Sequence, residues 1–178
     1  MIYHPLCSEL VAKVKVRSLK EVRETLKKVV EITGCSIVAL GHTYKLSRRP
    51  LSFREFQLTS VVEPVEVDSL VIEEDLIAIP ESALHSKALL NALYPKGTAG
   101  LFSAYLYDKR TGAHLKIDME DGLSFQAEHH ATTRDFPILA KILRSLNSYW
   151  LTEGGGSPMF FEKWCERHNY KDVLKKGV

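Results

Sequence analysis

Residues 99–130 read Ala99-Gly100-Leu101-Phe102-Ser103-Ala104-Tyr105-Leu106-Tyr107-Asp108-Lys109-Arg110-Thr111-Gly112-Ala113-His114-Leu115-Lys116-Ile117-Asp118-Met119-Glu120-Asp121-Gly122-Leu123-Ser124-Phe125-Gln126-Ala127-Glu128-His129-His130. Apolar and polar side chains alternate through three runs separated by two turn signals, the pattern of a three-stranded meander with one buried face. With Lys109-Arg110-Thr111-Gly112 as the first loop, Asp108 faces Ala113, and Phe102, Ala104 and Leu106 fall opposite Met119, Ile117 and Leu115. With Glu120-Asp121-Gly122 as the second loop, a three-residue turn with glycine in the left-handed position, the same three residues meet Leu123, Phe125 and Ala127. A slip of one residue at either turn would mix the two faces, so the pattern specifies its own register.

Working outward toward the N-terminus, Leu10 to Val16 ends in alternation of Val14 and Val16 with Lys13 and Lys15, a half-buried strand. Ser18-Leu19-Lys20-Glu21 then matches a capping box. The helix it opens presents Leu19, Val22, Leu26, Val29 and Val30 inward. Gly34 closes it, and Cys35 to Leu40 is a second apolar strand. The outer helix face, Lys20, Arg23, Glu24, Lys27, Lys28 and Glu31, is expected to face solvent. After a polar connection, Gly41 to Arg54, strands are expected at 56–62, 65–72 and 76–79. A helix from Pro80 through Leu93 stops at Tyr94-Pro95-Lys96-Gly97. Beyond the meander, Asp135 caps a helix over 136–151 whose Ile138, Leu139, Ile142, Leu143, Leu146, Tyr149 and Trp150 would cover the apolar sheet face. Gly154-Gly155-Gly156 breaks the chain before a last helix from Pro158 to about His168. The expected architecture is α+β: a β-α-β start, an antiparallel meander, and C-terminal helices packed on one sheet face. It divides into a core domain over 1–153 and a helical appendage over 154–178.

Composition bounds the function. The chain has 178 residues, 45% hydrophobic and 26% charged, with a formal net charge of +2. That is enough for a sizeable core and too little charge for a whole-domain nucleic-acid field. No run reaches the ~20 apolar residues a membrane span needs, and Met1-Ile2-Tyr3-His4-Pro5 does not read as a secretory signal, so a cytoplasmic protein is expected. Three cysteines, Cys7, Cys35 and Cys165, do not make a secreted disulfide framework. The only amides are Asn91, Asn147, Asn169, Gln57 and Gln126, against plentiful Lys, Arg and Glu, the balance expected of a thermophile.

The meander's register also gathers its chemistry. Ser103, Tyr105, Tyr107, His114, Lys116, Asp118, Ser124, Gln126, Glu128 and His130 share the face opposite the core, with Lys109 and Arg110 on the adjoining loop. Tyrosines beside a Lys and a His on an open sheet face suit a single-strand nucleic-acid platform, where rings stack on bases and cations meet phosphates. The expected function is therefore non-catalytic nucleic-acid association, with RNA or single strands preferred. Tyr105, Tyr107, His114 and Lys116 would meet bases; Lys109, Arg110, Arg48, Arg49 and Arg54 would meet phosphates. The last three come from the basic run Lys45 to Arg54. The alternative reading is a small hydrolase or nuclease using His114 with Glu128 and His130 as an acid–base set. A third is a scaffold or oligomer subunit. The bland reading of the same face is a wet antiparallel surface with favourable cross-strand pairs.

Other motifs carry less. His4-x-x-Cys7 and Cys165-x-x-His168 together supply a Cys₂His₂ set, but tight Cys-x-x-Cys knuckles are absent, so neither metal nor cofactor is expected. The triple glycine lacks the Lys and spacing of a Walker A loop. His130-Ala131-Thr132 has no partner His-x-Thr/Ser, and no nucleophile elbow, His-Glu-x-x-His pair or dinucleotide fingerprint occurs.

Overall fold

A computed structural model describes residues 10–39, 42–43, 57–58, 63–85, 100–119, 122–127, 136–146 and 150–153. The molecule is a mixed α+β protein dominated by antiparallel sheet. Its centre is the meander β8 (Leu101–Tyr107), β9 (His114–Met119) and β10 (Leu123–Ala127). Ala104 pairs with Ile117 and Leu106 with Leu115 on one side; Met119 pairs with Leu123 and Ile117 with Phe125 on the other. This is the register that the alternation dictates. The first turn closes through Asp108 N–H to Ala113 O (2.9 Å) and Gly112 N–H to Asp108 O (2.8 Å), with Gly112 at φ 75°.

Strand β1 (Leu10–Val14) pairs antiparallel with β10, and β2 (Ser36–Ala39) with β8. Between β1 and β2 the chain forms helix α1 (Leu19–Thr33). Because each step β1-β10-β9-β8-β2 is antiparallel, β1 and β2 run parallel with three strands between them. Ser18 accepts the Glu21 N–H at 3.1 Å, while the Glu21 carboxylate reaches back to the Arg17 N–H at 3.0 Å. Gly34, at φ 68°, donates to Val30 O and ends the helix. Val22, Leu26 and Val29 of α1 join one core cluster with Ala12, Val14, Ile37, Phe102, Leu106, Leu115, Ile117, Leu123 and Phe125. Helix α2 (Phe136–Ser145) touches α1 and adds Ile138, Leu139, Ala140 and Ile142. Each fully buried large side chain contributes roughly 1.5–3 kcal/mol of transfer free energy.

The remaining strands extend the edges. β5 (Glu63–Val65) pairs with β2, and β6 (Val71–Glu73) with β7 (Leu76–Pro80). β7 in turn pairs with Leu101–Ser103 of β8, beyond the stretch of β8 that pairs with β2 and β9. A separate two-stranded ladder joins β3 (His42–Thr43) to β4 (Gln57–Leu58). Strand β11 (Trp150–Glu153) pairs with β1 on the side away from β10.

Four local expectations are changed by packing. Residues 65–72 are not one strand: a 3₁₀ turn at Val67–Ser69 interrupts them, because Arg23 of α1 donates to Val67 O (2.6 Å) and Leu70 O (3.5 Å), and Lys27 meets Asp68 at 3.0 Å. The charged helix face is thus partly a docking surface. Pro80 does not open an α-helix; Glu81–Ala83 is a single 3₁₀ turn, after which Leu84 is extended and buried. There the His85 N–H is held by Glu63 Oε2 at 2.9 Å. The helix from Phe136 ends at Ser145, and Trp150–Glu153 is strand, since backbone pairing with β1 overrides the helical spacing of Tyr149 and Trp150. Leu19, in the first helical turn, is 43% exposed rather than core. The appendage expected over 154–178 lies outside the described residues.

Two glycines give contrasting stability tests. Gly122 sits at φ 114°, and a Cβ there would lie 2.6 Å from the backbone oxygen of Val14. Gly34 has φ 68° and open space around it. Gly122→Ala is expected to lose about 3 kcal/mol, since strain and a backbone clash combine. Gly34→Ala should lose only about 1 kcal/mol, from the left-handed backbone alone. Urea unfolding with unchanged slope measures both, and equal losses would refute the close approach of β1 to the second meander turn.

Candidate functional site

The polar face of the meander is assembled by the same pleat that builds the core. Tyr107 lies across from His114, and Tyr105 across from Lys116, which is itself across from Gln126. Tyr105 and Tyr107 stand two residues apart on β8, roughly 6.6 Å at the rise of a strand. The Tyr105 and His114 rings meet edge to face with centroids 6.1 Å apart and planes at 62°. Tyr105, Tyr107, His114 and Lys116 are all half-buried, whereas Lys109 and Arg110 are exposed on the adjoining turn. Six of the candidate residues are therefore brought to one strip. Glu128, His130, Arg48, Arg49 and Arg54 lie outside the described residues.

Hydrogen bonds fix parts of this strip. His114 Nδ1 is 3.2 Å from Gly112 O; a carbonyl can only accept, so this contact calls for a proton on Nδ1 and fixes the ring's orientation. Asp108 Oδ1 receives the Arg110 N–H at 2.9 Å and lies 3.5 Å from the Arg110 Nε. Thr111 Oγ1 receives the Ala113 N–H at 3.2 Å. The turn carrying the two exposed cations is thus ordered from within, and Arg110 is drawn toward Asp108 while Lys109 projects.

The face is not open throughout. Toward β10 and β1 it is closed: Ser124 is 0% and Gln126 8% exposed. Gln126 Nε2 donates to Ser124 Oγ at 3.2 Å, and the Ser124 hydroxyl donates to Asp118 O at 3.2 Å. An amide rather than a charge at position 126 follows from this burial, since a buried amide can be satisfied by one or two hydrogen bonds and a charge cannot. On the β2 side, Val38, in register with Tyr105, is buried as well, and so is Ala78 of β7, in register with Ser103. The accessible strip is consequently narrow, centred on Tyr105, Tyr107, His114 and Lys116. Lys13, half-buried and in register with Ser124, belongs to the same face and was not marked by sequence spacing, because its neighbour β10 lies more than a hundred positions away.

Among the described residues no group of three or more His, Cys, Asp or Glu is placed to hold a metal ion. His4, Cys7, Cys165 and His168 lie outside them. Among the described residues no helix is long and apolar enough to cross a membrane. Compared with protein families, curated proteins and solved structures, the chain finds no match.

Cys35, just past the end of α1, is a buried free thiol. Its N–H donates to Thr33 Oγ1 at 3.2 Å, and the Thr33 hydroxyl in turn donates to Val29 O at 2.6 Å. Burial pushes the thiol up, with Asp108 adding to the rise and the Thr33 contact, Lys141 and Arg110 opposing it. A raised value in the folded state means the unfolded chain releases this proton first. The stabilisation is complete below the ordinary thiol pKa of about 8.5 and is lost as pH climbs through the folded value. Comparing urea unfolding of the natural protein and Cys35→Ala, the stability difference should narrow between neutral and strongly alkaline pH. A difference constant across that range would contradict the assigned burial.

Proposed function

We propose that this protein is a non-catalytic single-strand nucleic-acid binder, favouring RNA over duplex, whose ligand lies along the Tyr105–Tyr107–His114–Lys116 strip. The carrying observation is the placement of two tyrosines at strand spacing beside His114 and Lys116, with the Lys109–Arg110 turn at the end of the strip. Aromatic faces take bases without demanding a sequence, and flanking cations take phosphates. Arg48, Arg49 and Arg54 of the basic connection would add phosphate contacts. On this reading α1 and the C-terminal helices form one layer on the apolar sheet face, leaving the Tyr105–Lys116 strip to the ligand.

A catalytic reading uses the same strip, with His114 as base alongside Glu128 and His130. The Nδ1 contact to Gly112 O supports it, since it holds the ring in one orientation. Hydrolysis of RNA that is abolished by His114→Ala would establish it in place of simple binding.

The binding proposal is tested by fluorescence anisotropy with a short labelled RNA, its single-stranded DNA counterpart and a duplex. Affinity should fall steeply with salt. Tyr105→Ala combined with Tyr107→Ala should weaken binding at least tenfold, from a stacking loss of about 1–3 kcal/mol per base. Lys109→Ala should weaken it less and reduce the salt slope by about one. Absence of salt-sensitive binding, or full affinity in the double tyrosine variant, would refute the proposal.

A further inference from the structure

Asp118 stands two residues beyond Lys116 on β9, roughly 6.6 Å along the strand, and is half-buried. Hydrogen bonds hold it in place. Its Oδ1 accepts the Met119 N–H at 2.9 Å, and its backbone O accepts the Ser124 hydroxyl, which itself accepts from Gln126 Nε2. Oδ2 has no donor among the described residues, and it is not sealed off as Glu63 Oε1 is, so it opens to solvent. Two lysines are near in register, Lys116 on the same strand and Lys13 across Ser124. Neither forms an ion pair with Asp118, and all three charged residues are half-buried. On a face that gathers cations for phosphate, an uncompensated carboxylate opposes binding unless it meets a donor of the ligand.

We propose that Asp118 is a base-reading residue that selects guanine within the single strand. The inference rests on the strip being the nucleic-acid surface, and adds a sequence preference that stacking on tyrosine does not give. Tyr105 is in register with Lys116, so His114 and Asp118 hold its two diagonal positions on β9, both within reach of an aromatic side chain. The His114 ring takes one diagonal, its centroid 6.1 Å from that of Tyr105. A base stacked on Tyr105 can present its Watson–Crick edge to Asp118 on the other. A carboxylate only accepts. Guanine offers it two adjacent donors, N1–H and the N2 amino group. Adenine and cytosine set one amino donor beside a ring nitrogen that accepts, and uracil sets one donor between two carbonyls. Each of these aims a lone pair at the carboxylate. Lys116 and Lys13 remain for the flanking phosphates.

Anisotropy of the full chain with a short labelled all-uridine RNA, and with the same strand carrying one central guanine, adenine, cytosine or inosine, reads the preference. Guanine should tighten binding about tenfold over uridine, and adenine and cytosine by less than about threefold. Inosine, which lacks the N2 amino group, should fall between. Asp118→Asn keeps an oxygen for the Met119 N–H but replaces the other by a donor, so the ratio of guanine to uridine affinity should drop below about threefold. Thermal melting checks that the variant folds, and the inosine strand tests the natural protein independently of it. All-uridine binding with no gain from guanine, or a gain that survives Asp118→Asn, overturns the base-reading role and leaves the strip standing as a binding surface. Failure of every strand to bind overturns both.

Discussion

The row Ala104–Ile117–Phe125 holds the molecule together. Ile117 sits at the middle of the central strand, in register with Ala104 on one side and Phe125 on the other, and all three are buried. Side chains on a strand alternate with a period of two, so fixing this row fixes every row above and below it. Leu106–Leu115 and Met119–Leu123 follow without further choice. The helices then have one apolar surface to cover, and Val22, Leu26 and Val29 of α1 enter the same cluster as Ile138, Leu139 and Ile142 of α2.

That constraint also produces the opposite face. Because Leu106 and Leu115 point inward, Tyr105, Tyr107, His114 and Lys116 must point outward together. Whether such a face is merely wet or is a platform depends on its margins, and these are particular here. Buried Gln126 and Ser124 close one side through a hydrogen-bonded chain to Asp118, and buried Val38 flanks the other. The candidate ligand surface is a strip rather than a plain. On the proposed reading, its two rings would take bases and the cations of the adjoining turn phosphates.

Where sequence cues act over three or four residues, structure follows them closely. Ser18 and Glu21 start α1 and Gly34 stops it, each through a hydrogen bond within the same turn of chain. The meander register was equally legible, because two short turns leave few alternatives. Cues failed where a distant partner competed. Arg23 and Lys27 read as a solvated face, yet they grip the Val67–Leu70 turn over forty positions away. Trp150 continued a helical stripe on paper, yet the free margin of β1 takes Trp150–Glu153 as a strand. Gln126 falls on the polar face by spacing, yet it is buried there.

By itself, the sequence determined the α+β class, the meander with its inward and outward faces, the capped helix after β1, and the company that Tyr105, Tyr107, His114 and Lys116 keep. All of these rest on periodicity and hydrogen bonds between near neighbours, which a linear pattern encodes. Only the tertiary structure decided that β1 and β2 stand apart with β10, β9 and β8 between them, that the polar face narrows to a strip, and that Arg23 and Lys27 meet the Val67–Leu70 turn. Those features depend on which strand edges and side chains meet across long stretches of chain, and such pairings are chosen by the combined burial of the whole core rather than by any local run of residues.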